Sequence, residues 1–495
     1  MSADNKKMVS HTSIYMLGGI LRRGVSLIML PIYTRYLTPA DYGVVELLSM
    51  LLDIATIIFS ARVGQAIFRY YCTAESEQFK NSVISSALML AALMNGLGAL
   101  VVITLSSQLS VAIFSDASYS SLIALFAVTM FLNPLSEIPL VYIRAQQKPW
   151  LYLIFSVARL TLQLSLNIYF VVMLEMHVLG VIYSAVISSL IMAFILTGYS
   201  LSKVGFSASL ETMKSLFSFG LPLKLAALGS FYMAFGDRYF LNHFSGLTEV
   251  GIYSLGYKFG FILLLLAWDP FTKFWDSEKY DIYKRPGAKH TYQRVFVYTS
   301  SALIFCGLAI TIYTKDFIRI MADPSFHDAY KVVPMIVIAY IFQAWTKYCN
   351  MGILLHYKTG EIAYSEMIGV GVISIAYLTL IPEYGMYGAA WATVAGFLAR
   401  FLWTNMKSKR RYDMELPWHT IGRIGILATV TYLLSLLSSD EFFLSILYRS
   451  LLLTGFIGAF LLLPILDSSE KRYMWEIARH PRLIRRGRAR NNTNS

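Results

Sequence analysis

Leu37-Thr38-Pro39-Ala40-Asp41-Tyr42-Gly43-Val44 is echoed later in the chain by Leu247-Thr248-Glu249-Val250-Gly251-Ile252-Tyr253. A second pair of echoes, Leu179-Gly180-Val181-Ile182-Tyr183-Ser184-Ala185 and Tyr387-Gly388-Ala389-Ala390-Trp391-Ala392-Thr393, keeps the same register. Gly43 and Gly251 are 208 positions apart, and so are Gly180 and Gly388. One such match is weak; a common offset at both ends of a unit is hard to reach by chance. Arg35-Tyr36 and Arg238-Tyr239 also correspond, at an offset of 203, which implies five extra residues in the second copy's loop. Locally, the first motif opens a helix. Thr38 stands as N-cap, Pro39 as first helical residue, and Asp41 completes a capping box. Gly43 permits close helix contact.

Around these motifs the chain is apolar on a scale that soluble proteins do not reach. Hydrophobic residues make up 56% of its 495 positions, charged residues 14%, and the mean hydropathy is +0.56; soluble domains carry about 25% charged residues. A bilayer core of about 30 Å takes roughly 20 apolar residues per helical crossing. Fourteen such stretches are expected, at 13–36, 42–66, 82–106, 119–142, 150–174, 177–201, 216–243, 249–270, 295–314, 331–354, 361–381, 384–405, 421–438 and 442–466. The repeat gives each copy six of them. An even number leaves both copies the same way up, the parallel-repeat plan of many transporters. The expected organisation is an N-lobe over 1–205, a C-lobe over 206–411, two extra helices over 412–466 and a basic tail over 467–495.

The net charge of +13 is distributed by topology rather than gathered for nucleic acid. Lys203, Lys214, Lys273, Lys279, Lys284, Arg285, Lys407, Lys409 and Arg410 fall in alternate gaps, whereas 107–118, 175–176, 382–383 and 439–441 hold no Lys or Arg. This bias places both termini in the cytoplasm. The gap 315–331 breaks the pattern with Lys315, Arg319 and Lys331. The basic tail, Lys471 to Arg490, is read as a topology anchor that touches anionic lipid heads. No removable signal segment is expected at the N-terminus. Cys72, Cys306 and Cys349 are isolated, which argues against both a disulfide framework and a thiolate metal site. The eight His show no metal-ligand spacing, and there is no phosphate-cradling Gly-Lys-Thr loop. Enzyme chemistry, a cofactor and direct use of ATP are not expected.

A charge at mid-membrane costs at least about 2.5–3.5 kcal/mol, so charges within spans must face a cavity or each other. Arg62, Gln65 and Arg69 share one helical face, as do Ser156, Arg159, Gln163 and Asn167, and again Gln343, Lys347 and Asn350. Arg22 and Arg23 lie in the first stretch, Lys224 just after Pro222, and Lys258 in the eighth. The candidate cavity cations are Arg22, Arg23, Arg62, Arg159, Lys224 and Lys347, with Gln65, Gln163, Asn167 and Gln343 as polar neighbours. Arg35, Asp53, Asp237 and Arg238 are candidate gate or coupling residues; for Arg35, Asp237 and Arg238 a structural ion pair is the alternative. Arg69, Arg144, Lys258 and Lys273 have a plainer explanation in snorkelling to the surface.

The segments LPIYTRYLTPADYGVVELL (30–48), YIRAQQKPWLY (142–152), FGLPLKLAALGSFYMAFGDRYFLNHF (219–244), EVGIYSLGYKFG (249–260) and IPEYGMYGAAWAT (381–393) resemble the Wzx-type flippases. These form the polysaccharide-transporter branch of the multidrug/oligosaccharidyl-lipid/polysaccharide exporter superfamily. The resemblance implies two six-helix bundles in a V shape in the inner membrane. It implies export of an undecaprenyl-diphosphate-linked oligosaccharide, with the sugar head in the cavity and the lipid tail in the bilayer. Polysaccharide polymerase and chain-length machinery are the partners it implies. Two other functions compete. A cation-coupled multidrug antiporter would want an acidic site and an apolar or anionic cavity, against the excess of intramembrane Arg and Lys. A membrane polymerase or ligase would want a large external loop, and the longest external gap, 315–331, is short.

Overall fold

The computed structural model describes residues 28–60, 63–356, 358–438 and 441–462, and among these all regular structure is helical. Among the described residues, ten helices are long and apolar enough to cross a membrane. The protein is a multi-pass membrane protein. The difference from fourteen has identifiable sources. One 53-residue element, Thr359–Arg411, carries two of the expected stretches and turns between them at Gly385, where φ is 51°. The stretches 216–243 and 421–438 fall on helices that are shorter or less apolar, and most of 13–36 lies outside the described residues.

The first copy comprises α1 (Leu30–Tyr36), α2 (Pro39–Phe59), α3 (Val63–Thr73), α4 (Glu77–Thr104), α5 (Ser106–Phe114), α6 (Ser120–Ala145), α7 (Pro149–Asn167) and α8 (His177–Val204). The second comprises α9 (Leu210–Phe235), α10 (Asp237–Ser245), α11 (Leu247–Leu263), α12 (Asp269–Tyr283), α13 (Ala288–Met321), α14 (Val333–Leu354) and α15 (Thr359–Arg411). Two more helices follow, α16 (Trp418–Ser435) and α17 (Phe442–Leu462). Both pack on the second copy. Trp418 meets the rings of Phe296, Trp345 and Phe401, and a buried Arg449–Asp316 ion pair fixes α17 to α13.

The 208-residue offset is written into the packing. The α2 helix opens with its capping box in place: the Asp41 N–H donates to Thr38 Oγ1 at 3.1 Å and the Thr38 N–H to Asp41 Oδ2 at 3.1 Å. It then crosses α11 at the two equivalent glycines. A Cβ on Gly43 would strike the Leu247 carbonyl, and one on Gly251 would strike the Pro39 carbonyl, each contact being the other shifted by one repeat. Only glycine lets the backbones approach this closely. A second pair follows the same rule. Asp41 Oδ2 lies 3.9 Å from Nδ1 of His177, and the Met386 N–H donates to Glu249 Oε2 at 2.8 Å, beside Gly385. His177 and Gly385 both have positive φ, 47° and 51°, at the turn that starts the last helix of each copy.

Helix-end carbonyls are satisfied from across the copies. Thr34 Oγ1 and Arg35 Nη2 donate to Met321 and Ile320 carbonyls at the end of α13, at 3.2 and 3.4 Å. At the opposite end of the bundle, Ser85 and Ser86 bond the backbone of Ser207 and Ser209, where α9 begins. In α6, Pro139 frees the Leu135 carbonyl, and the Thr197 hydroxyl donates to it at 2.8 Å.

Candidate functional site

Helical spacing on α2 lines up Tyr42, Glu46, Ser49 and Asp53 on one face. Just beyond the glycine crossing, Lys258 of α11 reaches this face: its ammonium donates to Glu46 Oε1 at 2.6 Å and to the Tyr42 hydroxyl at 2.5 Å. The α7 helix supplies Ser156, Arg159 and Gln163 on one stripe, as their spacing predicts. The Arg159 guanidinium donates to Glu137 Oε1 at 2.9 Å, to Asn133 Oδ1 at 3.1 Å and to Ser136 Oγ at 3.3 Å. Those three partners lie together on α6, on the segment between and beside its two prolines, Pro134 and Pro139. Ser189 Oγ donates to Asn133 Oδ1 at 2.8 Å, so the amide that receives Arg159 is itself held. Ser188 donates to Gln163, and the Tyr33 hydroxyl donates to the buried Asn167 at 3.0 Å.

Part of this network lines a cavity of about 420 Å³ in the first copy. Its wall carries Tyr33, Glu46, Glu137, Arg159, Gln163 and Lys258. Among the described lining residues two cations face two carboxylates, so the charges balance, and they are set among apolar side chains such as Met29, Val45, Phe126, Leu140 and Val181. The Arg159 and Glu137 side chains are 22% and 41% exposed, which leaves both able to meet a solute.

The other sequence-predicted residues are spread more widely. Arg22, Arg23 and Arg62 lie outside the described residues. Lys224 is buried and donates to the Ile58 carbonyl at 3.2 Å. There it caps the end of α2, where Ser60 leaves the helix, in the manner of a cation at a helix C-terminus. Gln65 is exposed on α3, a turn from Arg69, which lies 5.4 Å over the Phe219 ring. Asp53 and Lys347 are exposed, and Gln343 has its Oε1 buried with no hydrogen-bond partner among the described residues. Asp237 and Arg238 pair at 2.6 Å in full burial; Tyr253 donates to Asp237 at 2.5 Å, and the guanidinium stands 4.2 Å over Tyr257. Arg35 is no part of that pair and is spent on α13.

Sequence reading missed the Glu366–Arg400 pair. It joins the two limbs of α15 at 3.1 Å, nearly buried, with Ser230 of α9 donating to Glu366. The signal was present: Glu366 lies inside the stretch 361–381 and Arg400 inside 384–405. No cluster of three or more His, Cys, Asp or Glu suited to a metal occurs among the described residues.

Among solved structures, the chain is similar to a lipid II flippase, MurJ, in an inward closed conformation: TM-score 0.73, 13% identity, covering 90% of this chain and 98% of that one. An inward-facing multidrug resistance MATE transporter aligns with TM-score 0.65 at 14% identity, over 81% and 97% of the two chains. An outward-facing MATE structure aligns with TM-score 0.52 at 14% identity, over 82% and 96%. At such identities the likeness shows the fold. An uncharacterized membrane protein of Methanocaldococcus jannaschii is 22% identical over 245 residues, 47% of this chain and 46% of that protein, so the chain spans about half the length of the curated relative it matches. The family model described as polysaccharide biosynthesis protein matches residues 8–272, more than half of the sequence, and the chain belongs to that family.

Proposed function

We propose that the protein is a flippase that carries undecaprenyl-diphosphate-linked oligosaccharide from the cytoplasmic to the outer leaflet of the inner membrane, with both termini cytoplasmic. The observation that carries this reading is the cavity of the first copy with two cations and two carboxylates in its wall, in a membrane protein of a polysaccharide biosynthesis family. Four charged groups in a bilayer-embedded bundle are costly even when paired, and setting both pairs on one cavity suits a polar solute. Guanidinium and ammonium groups suit a diphosphate, and the amide and hydroxyl groups of Gln163, Ser156 and Tyr33 suit sugar hydroxyls. Arg22, Arg23, Arg62 and Lys347 complete the cationic surface in this reading. The N-lobe, 1–205, rocks against the C-lobe, 206–411, about the crossing of α2 and α11. The resemblance of fold to a flippase supports transport rather than catalysis. Deleting the gene and analysing lipid extracts tests the reading: undecaprenyl-diphosphate-linked saccharide accumulates if it holds, and unchanged extracts with normal surface polysaccharide overturn it.

A cation-coupled antiporter is the second reading. The balance of Glu46 and Glu137 against Arg159 and Lys258 favours it more than the overall charge did. Export of a cationic dye by cells expressing the protein, abolished by Glu137→Gln, would decide for it.

A further inference from the structure

Among the described residues, Lys258 is the second-copy side chain in the wall of the first-copy cavity. It bridges the two copies just past the glycine crossing, held by Glu46 and Tyr42 of α2. Arg159 differs in kind. Its partners Glu137, Asn133 and Ser136 all belong to its own copy, so engaging it moves nothing between copies. Lysine is a compact charge with three rotatable donors, able to change anionic partners without geometric demand.

We propose that Lys258 is the residue through which a diphosphate entering the cavity loosens the α2–α11 crossing, by competing with Glu46 for the ammonium. The proposal rests on the transport reading above. Its physics is that of a linked exchange. A ligand shifts a conformational equilibrium only by binding one state better than the other. While the crossing is closed, taking Lys258 from Glu46 leaves a carboxylate largely buried and uncompensated, which is strongly unfavourable. Once α11 moves away from α2, water reaches Glu46 and the penalty falls. The diphosphate therefore binds the loosened state better, and its arrival drives the separation. Lys258 here is a positioning residue for the conformational step as well as a phosphate contact.

The test uses the full-length protein in nanodiscs, with undecaprenyl diphosphate as probe. Spin labels at Tyr36→Cys, at the α1–α2 turn, and Thr248→Cys, at the start of α11, both exposed, read how far α11 stands from the head of α2, with Cys72 replaced by Ser. Adding the probe to otherwise unaltered protein should populate a longer distance. Glu46→Gln removes the competitor and keeps the cation. It should show the longer distance without probe and bind the probe about threefold or more tighter, since the cost of breaking the pair is gone. Lys258→Gln should also loosen the crossing but bind about tenfold more weakly, having lost a charge-assisted contact. Lys258→Arg, which keeps the charge but not the compact ammonium, should bind the probe with an affinity nearer the unaltered protein than Lys258→Gln does. A plain structural latch would loosen in both neutral variants with equal affinities, and that result overturns the proposal while leaving the transport reading intact. If Lys258→Gln fails to fold, Glu46→Gln decides alone: tighter binding supports the exchange, and unchanged or weaker binding overturns it. No binding to the unaltered protein overturns both.

Discussion

The two copies of the repeat share a frame and differ in what they put inside it. Gly43 and Gly251 cross as mirror partners, and Asp41–His177 and Glu249–Met386 occupy the same corner of each copy. The polar interiors have diverged. In the first copy Arg159 and Glu137 remain partly exposed on a cavity. In the second, Arg400 and Glu366 are 9% and 11% exposed, and Arg238 is sealed among Phe235, Tyr253 and Tyr257. Backbone approach is what the repeat preserves, because a glycine crossing tolerates no side chain. Interior polarity is free to specialise; on the proposed transport reading the partly exposed pair is where a solute is met and the sealed one is a joint.

The shared half of that contrast is open to test at the crossing. Gly43→Ala and Gly251→Ala should each destabilise by about 1–3 kcal/mol through overpacking against a carbonyl, and by similar amounts at both sites. Gly198→Ala on α8, which meets nothing within 4 Å, should be neutral or slightly stabilising. Thermal unfolding of the three variants in one detergent checks this; a large asymmetry between Gly43 and Gly251 would mean the copies do not share the crossing.

The ion pairs sharpen the comparison. Arg400→Ala leaves Glu366 buried and uncompensated, and should cost about 3–5 kcal/mol of stability. Arg159→Ala should cost only about 1 kcal/mol, because Glu137 is 41% exposed and can be hydrated. Its loss should appear in transport, and Arg159→Lys should restore only part of it, lacking the fork that donates to Glu137, Asn133 and Ser136 together. Equal destabilisation by the two alanine variants, in melting curves measured side by side, would erase the distinction between solute site and joint.

The smallest effect belongs to the frame of the first copy. Thr197→Val should cost about 1 kcal/mol by stranding the Leu135 carbonyl that Pro139 frees. A variant as stable as the unaltered protein would show that water already serves that carbonyl.

Much of this was legible in the sequence because apolar length and a repeat offset are one-dimensional signals. The 208-residue register led directly to Gly43 and Gly251, and the capping box at Thr38–Asp41 formed as spelled. The spacing of Ser156, Arg159 and Gln163 identified a helical face but not what stood opposite it. The partners on α6 come from a helix whose two prolines set its course, and no local pattern encodes that approach. The echo of Arg35 in Arg238 carried less than it promised. Arg35 precedes Pro39 by four positions and Arg238 precedes Leu247 by nine, so the five-residue difference moves the second arginine more than a helical turn, from a helix end into the core. Glu366 and Arg400 were passed over because each sits near the end of an expected span, where charge is ordinary; only the fold brings the two ends of α15 together.

Passage of a diphosphate-linked saccharide through the first-copy cavity can be followed in proteoliposomes. Undecaprenyl-diphosphate-linked saccharide would be loaded in the inner leaflet, and its appearance outside followed by a lectin. The unaltered protein should translocate it, and Arg159→Ala, reconstituted to the same level and still folded, should slow it at least about tenfold, the equivalent of about 1.4 kcal/mol. Translocation by Arg159→Ala at the unaltered rate would contradict passage through this cavity.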